Sequence, residues 1–252
     1  MKFVVLIPAR YESTRFPGKP LAKIGGEEMI IRVCRQVAKT GLPLAVATDN
    51  DLIAQTVRNA GFDAVLTAST HRSGTERVEE AYRNIHSDAD VVINVQGDEP
   101  FIDPRQILSL SEIFKSNPDT DIATLARPFD PALGFDALQD PNLVKVVMSQ
   151  QGRALYFSRS VIPFVRNTPT DDWLRKVQYY SHIGIYAYRA SALSKIVSLP
   201  PAPLETVESL EQLRWLQQGI VINVGISSFP TIGIDTPQDL ENAEMFLKNI
   251  AE

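Results

Sequence analysis

Two periodicities alternate along the first half of the chain. Continuous apolar runs at residues 3–7, 44–47, 64–66 and 91–95 have the length and β-branched content of buried strands. Between them, residues 29–39, 51–60 and 74–85 space their apolar side chains as amphipathic helices do, and Gly61 closes the second of these. Parallel strands need a crossover long enough to hold a helix, so this alternation predicts a parallel sheet with helices on both faces.

From about residue 122 the pattern changes. Residues 144–148, 154–157 and 182–188 are strand-like and are interrupted by a long polar stretch at 166–176, which predicts that the sheet becomes mixed. A helix is expected over 207–218, a strand over 220–224, and a last helix over 237–249, where Thr236 caps and Pro237 takes the first helical position. The stretch 128–142, rich in Pro and Asp, and the segment 163–173 are expected to project as a small subdomain of the kind that builds an oligomer interface. No repeat, low-complexity tract or linker divides residues 1–252, so one domain is expected.

Composition narrows the class. The 252 residues are 44% hydrophobic, enough for a large core. A formal charge of −5 removes the general attraction that nucleic-acid binders draw from Lys and Arg. Cys34 is the single cysteine, which excludes an internal disulfide and any multi-cysteine metal site, and its apolar neighbours Ile30, Ile31, Val33 and Val37 predict a buried helix position. The N-terminal apolar run is too short for a signal peptide, and no stretch reaches membrane-spanning length. A cytoplasmic protein without membrane insertion is expected.

Against this acidic background one loop is basic. The first strand feeds Pro8-Ala9-Arg10-Tyr11-Glu12-Ser13-Thr14-Arg15-Phe16-Pro17-Gly18-Lys19-Pro20-Leu21, with the cations Arg10, Arg15 and Lys19 and the hydroxyls of Ser13 and Thr14. A loop at the carboxyl end of a strand in a parallel sheet is where open α/β folds place ligands, and backbone N–H groups there add to side-chain charge. A polyphosphate is the expected occupant, although loop arginines taken alone are more often solvated.

A carboxylate stands at the end of the strand 91–95, in Gln96-Gly97-Asp98-Glu99-Pro100, where a metal ligand belongs; a second stands in Gly233-Ile234-Asp235-Thr236-Pro237. Mg²⁺ is commonly held by one or two carboxylates plus substrate oxygens. Each Asp has an ordinary reading as well, as an Asx turn or a helix start. His71-Arg72-Ser73-Gly74-Thr75-Glu76-Arg77 reads either as an anion-binding turn or as a capping box. His182 and Tyr186 share one face of a strand with Gly184 between them, while Glu205, Glu208 and Glu211 are expected to be mostly solvated.

Together these segments resemble the nucleotide-sugar-forming nucleotidyltransferases, and among them the CMP-Kdo synthetases (3-deoxy-manno-octulosonate cytidylyltransferases). The resemblance covers nearly the whole chain in family order: residues 7–11 through 17–21, Ser73-Gly74-Thr75-Glu76-Arg77, Asn94-Val95-Gln96-Gly97-Asp98-Glu99-Pro100, Ala154-Leu155-Tyr156-Phe157-Ser158-Arg159, His182-Ile183-Gly184-Ile185-Tyr186, Leu210-Glu211-Gln212-Leu213-Arg214 and Asp235-Thr236-Pro237. It implies a Rossmann-like, mainly parallel mixed sheet of the nucleotide-diphospho-sugar transferase type, with a nucleotide-binding half over about 1–120 and a sugar-binding and dimerisation half over about 121–252. It implies transfer of CMP from CTP to the anomeric hydroxyl of Kdo, an eight-carbon sugar acid, with release of pyrophosphate, for lipopolysaccharide core synthesis. By the same resemblance Ala9, Arg10, Ser13, Arg15, Lys19 and Arg77 contact the nucleotide. Asp98 and Asp235 hold Mg²⁺. Gln96, Arg159, His182, Tyr186, Glu211 and Gln212 surround the sugar acid, and the protein is a homodimer. Arg10, Arg15, Lys19, Asp98 and Asp235 carry the catalysis in this reading.

Three other readings compete. A CMP-sialic acid synthetase runs the same chemistry on a nine-carbon acid, but its first loop typically reads Arg-x-Gly-Ser-Lys and ends in Lys-Asn, whereas here the loop ends in Lys19-Pro20. An 8-amino-Kdo enzyme differs by one sugar substituent, which a few pocket contacts decide. A non-catalytic nucleotide-binding protein on the same fold is the alternative of another class. A nicotinamide-dependent enzyme is disfavoured, because Gly18, Gly25 and Gly26 do not make a Gly-x-Gly-x-x-Gly turn.

Overall fold

Residues 1–12, 16–230, 233–234 and 236–251 are described by the computed structural model, the last three without their side chains. The strands are β1 (Phe3–Ala9), β2 (Lys23–Ile24), β3 (Glu27–Glu28), β4 (Leu44–Thr48), β5 (Asp63–Leu66), β6 (Val91–Asn94), β7 (Ile122–Pro128), β8 (Lys145–Met148), β9 (Ala154–Ser158), β10 (Tyr180–Arg189) and β11 (Ile222–Ile226). The helices are α1 (Met29–Ala38), α2 (Asp51–Asn59), α3 (Gly74–Asn84), α4 (Pro104–Ser116), α5 (Gly134–Gln139), α6 (Trp173–Lys176), α7 (Ala190–Val197), α8 (Pro203–Glu208), α9 (Gln212–Gln217) and α10 (Pro237–Ala251).

Seven strands form the path β11-β7-β10-β6-β1-β4-β5, and the β8–β9 hairpin extends the same sheet from β10. Only β10 runs against its neighbours on that path; the pairs β6–β1, β1–β4, β4–β5 and β7–β11 are parallel. The expected mixed, mainly parallel sheet is therefore what forms. Burial explains the unbroken apolar run of β1: Phe3, Val5, Ile7 and Ala9 enter one core with residues of α1, α2 and α4, while Val4 and Leu6 enter the other with residues of α3, α7 and α9. Val5, Leu6 and Ile7 are fully buried, each contributing about 1.5–3 kcal/mol of apolar transfer. Cys34 is buried in the first of these cores as expected, and burial pushes its thiol up to about 12.

Chain order fixes where a ligand can sit. From β1 the chain moves outward through β4 and β5, then returns to pair β6 on the opposite side of β1. The crevice beyond the carboxyl ends of β1 and β6 is thus the switch point at which doubly wound sheets bind ligands.

Several elements differ from the expectation. The helix expected over 207–218 is two helices, α8 and α9, broken at Ser209, whose φ of 51° is left-handed. The Arg159 side chain takes the carbonyls of Glu208 and Ser209 at 2.7 and 3.3 Å, so a tertiary contact overrides the helical spacing. Helices α4 and α7 and strand β7 were not expected. The segments 128–142 and 163–173 do carry a separate small core, in which Phe129, Leu138, Trp173 and Tyr179 are buried together.

Candidate active site

The loops after β1 and β6 and the start of α3 enclose a cavity of about 290 Å³. Ala9 and Arg10 come from the end of β1, Lys19 from the following loop, Ser73, Gly74 and Arg77 from the start of α3, and Gln96, Gly97 and Asp98 from the turn after β6. Two glycines permit this convergence on Pro8. A Cβ on Gly97 would lie 2.8 Å from the Pro8 carbonyl oxygen, and one on Gly74 would lie 3.3 Å from the Pro8 ring.

Cations dominate the wall, and most are braced. Arg77 is 3% exposed and donates to Asp49 and Thr67, both at 2.7 Å. Arg72, which also lines the cavity, pairs with Glu76 at 2.7 Å. His71 packs beside them, hydrogen-bonded to Glu80. Lys19 Nζ lies 2.5 Å from Asp98 Oδ2. Among the described residues Arg10 makes no ion pair and stands exposed at the rim. The first N–H groups of α3 add an oriented donor set, since a helix start leaves such groups without intrahelical partners. Ser73 caps that helix by accepting from the Glu76 N–H at 3.2 Å. Beside Asp98, the Glu99 carboxyl is pushed up to about 8 by burial and by the Asp98 charge, and its Oε2 has no hydrogen bond among the described residues.

A second tier adjoins this wall. Ser73 and Thr75 donate their hydroxyls to the two oxygens of Glu211 at 3.0 and 2.7 Å, and burial raises the Glu211 carboxyl above its ordinary value. Gln96 donates to the Gly184 carbonyl of β10 at 3.4 Å. On that strand the pairing with β7 skips Gly184 and Ile185, a bulge that sets His182 and Tyr186 side by side with ring centroids 5.4 Å apart. Burial lowers His182 to about 3, so the ring is neutral, and it bonds Thr124 Oγ1 through Nε2 at 3.0 Å. Tyr186 is 7% exposed and its hydroxyl has no hydrogen bond among the described residues. Gln212 is buried at the start of α9.

The structure therefore brings Ala9, Arg10, Lys19, Arg77, Gln96 and Asp98 to one cavity and places His182, Tyr186 and Glu211 in the adjoining tier, with Gln212 next to Glu211 in the chain. Arg159 is not brought there. Its guanidinium donates to the carbonyls of Pro141, Glu208 and Ser209, and it acts as a brace for the turn between α8 and α9. The three acids expected to be solvated are instead bonded: Glu205 takes Arg214 in two hydrogen bonds, Glu208 takes Ser158 and the Arg159 N–H, and Glu211 takes Ser73 and Thr75. Ser13, Arg15 and Asp235 lie outside the described residues. The residue before Asp235 is fixed, however: the Ile234 N–H donates to the Asp98 carbonyl at 3.0 Å. Thr236 caps α10 as expected, in a reciprocal pair of bonds with Asp239.

Sequence reasoning missed Asp49, Thr75 and Thr124 as supports. Asp49 stands in the polar run after β4, which signalled only a turn; Thr124 lies on a strand that was not anticipated.

Comparison with known proteins agrees with this arrangement. The sequence model of the family described as Cytidylyltransferase matches residues 4–223. A 3-deoxy-manno-octulosonate cytidylyltransferase of Bacteroides thetaiotaomicron is 53% identical over 249 residues, covering 99% of both chains, and one of Porphyromonas gingivalis is 48% identical over 98% of this chain and 96% of its own. Among solved structures, a CMP:2-keto-3-deoxy-manno-octonic acid synthetase complexed with CTP superposes with a TM-score of 0.90 at 39% identity, covering 99% of this chain and all of that one. A 4-diphosphocytidyl-2C-methyl-D-erythritol synthase from Anaerococcus prevotii, at 14% identity and a TM-score of 0.60, shares the fold alone. With a family match across most of its length and relatives half identical from end to end, the chain belongs to the cytidylyltransferases, in the 3-deoxy-manno-octulosonate branch.

Proposed function

We infer that this protein transfers CMP from CTP to 3-deoxy-D-manno-octulosonate, giving CMP-Kdo and pyrophosphate. The observation that carries the reading is one cavity that combines the cations Arg10, Lys19, Arg72 and Arg77 and the start of α3 with Asp98, and that adjoins the Glu211–His182–Tyr186 tier. The anomeric oxygen of the sugar acid attacks the α-phosphorus of CTP and gives up its proton to water, while the bond from the α-phosphorus to the bridging oxygen breaks to release pyrophosphate. Arg10 and Lys19, with Arg15 and Ser13 on the same loop, hold the triphosphate and offset the charge that grows on the leaving pyrophosphate. Braced by Asp49 and Thr67, Arg77 supplies a fixed positive wall near Ala9.

Mg²⁺ is the cofactor of this reading. Among the described residues no cluster of three or more His, Cys, Asp or Glu could hold a metal, and Mg²⁺ needs only one or two carboxylates beside phosphate and water oxygens. A carboxylate from Asp98, whose backbone carbonyl takes the Ile234 N–H at 3.0 Å, and one from Asp235, the next residue in the sequence after Ile234, suit a hard ion that shares its shell with phosphate oxygens. When bound, the ion would supply charge neutralisation at the phosphates and a lowered pKa for a coordinated hydroxyl. Lys19, which lies 2.5 Å from Asp98 and lines the same cavity, adds its charge to the phosphate site.

On the sugar side Gln96, His182, Tyr186, Glu211 and Gln212 orient the acid. Arg159 supports them through the α8–α9 turn. We further propose a cytoplasmic homodimer; the described residues contain no helix long and apolar enough to cross a membrane. The test is pyrophosphate release with CTP and Mg²⁺ from Kdo, 8-amino-Kdo and N-acetylneuraminate, run on the wild type and on Asp98→Asn. Release with Kdo, and its loss by at least about a hundredfold in the variant, is expected. Preference for another acid would overturn the substrate, and an active variant would overturn the role of Asp98.

A further inference from the structure

The bulge in β10 turns the carbonyls of Ile183 and Ile185 toward one hydroxyl, that of Thr124 on β7, at 3.2 and 2.7 Å. His182 Nε2 lies 3.0 Å from the same oxygen. Thr124 is fully buried, so water does not compete for these bonds. A hydroxyl has a single proton, and a carbonyl oxygen can only accept. The proton therefore goes to the Ile185 carbonyl, the shorter contact, and the Thr124 oxygen is left to accept from the imidazole. Donation from Nε2 of a neutral ring leaves Nδ1 with a lone pair and no proton.

We propose that Thr124 is a positioning residue that fixes His182 as the neutral Nε2–H tautomer, presenting Nδ1 as a hydrogen-bond acceptor that selects a hydroxyl of the sugar acid. Phe157 and Tyr186 flank the ring, with centroids 4.9 and 5.4 Å away, and restrict its rotation. An acceptor of this kind rewards a ligand hydroxyl and rejects a carboxylate or ether oxygen at the same place, because two lone pairs would then face each other. The bulge is also tied to the cavity wall through the Gln96–Gly184 hydrogen bond, so the ring is held relative to the acceptor substrate and not only to the core. The proposal rests on the reading of this tier as the sugar side.

Two readouts separate the proposal from that reading. Long-range ¹H–¹⁵N correlation spectra of the ¹⁵N-labelled protein report the tautomer of each of its three histidines, and His182→Gln identifies the signal. The wild type is expected to show a protonated Nε2 and a bare Nδ1 at His182. Thr124→Val should release that tautomer and raise the KM for Kdo by about tenfold with the KM for CTP unchanged, while Thr124→Ser should retain both wild-type properties. A protonated Nδ1 in the wild type overturns the proposal whatever the kinetics, as does a valine variant with the wild-type tautomer. The predicted tautomer, lost in Thr124→Val with no change in the KM for Kdo, overturns the placement of His182 against the sugar.

Discussion

Acidification should destabilise this protein through His182 by an amount that can be isolated. Burial lowers the ring from an ordinary value of 6.5 to about 3. Between those values the unfolded chain binds a proton that the folded chain refuses, so stability is fully present above 6.5 and falls as pH drops through the window. At pH 5.0 the full shift corresponds to a loss of about 2 kcal/mol relative to pH 7.5, since each pH unit below the unfolded value costs about 1.36 kcal/mol. The ring is only half-buried by surface area, and solvent screening reduces the expected loss to about 1 kcal/mol. His182→Gln removes the titrating group. Urea unfolding of both proteins at pH 7.5 and 5.0 gives four free energies, and carboxylates common to both cancel in the double difference. The wild type should lose about 1 kcal/mol more than the variant. Equal losses would mean that the ring accepts a proton in the folded state, and would remove the basis for its neutral form.

Two further substitutions probe the geometry of the site. Gly97→Ala places a methyl 2.8 Å from the Pro8 carbonyl oxygen; overpacking of about 1–3 kcal/mol should lower the thermal midpoint by roughly 2–10 °C, read by circular dichroism, and an unchanged midpoint would show that the two loops do not meet so closely. Glu211→Gln keeps an acceptor for one hydroxyl but removes the charge that Ser73 and Thr75 share. Initial rates should show kcat/KM for Kdo reduced by about 10–100-fold, and a wild-type value would exclude Glu211 from the sugar side.

What could be read from the sequence was what a local pattern encodes. The strands β1, β4, β5 and β6 are apolar runs between turn residues, and their alternation with α1, α2 and α3 left a parallel sheet as the natural arrangement. Arg10, Lys19 and Asp98 were legible because strand ends in such a sheet converge on one crevice. Helix α4 was missed although Asp103, Pro104 and Gln106 form a capping box with proline at the helix start, the same signal that located α10. The break at Ser209 was not legible, because it depends on Arg159, fifty residues earlier in the chain, reaching two carbonyls. Glu205, Glu208 and Glu211 look like a solvated helical face for the same reason: their partners Arg214, Ser158, Ser73 and Thr75 come mostly from elsewhere in the fold. Thr124 carries no motif, and its importance follows only from the two-residue bulge opposite it.

The most direct test of the central claim is a ³¹P NMR spectrum of the products formed from CTP and Kdo with Mg²⁺. Transfer of CMP to the anomeric oxygen predicts one new phosphodiester resonance rising in equal amount with pyrophosphate, while the three CTP resonances fall together. Orthophosphate with CDP, or CMP without a phosphodiester, would contradict it, because either would show that water and not the sugar acid takes the phosphorus.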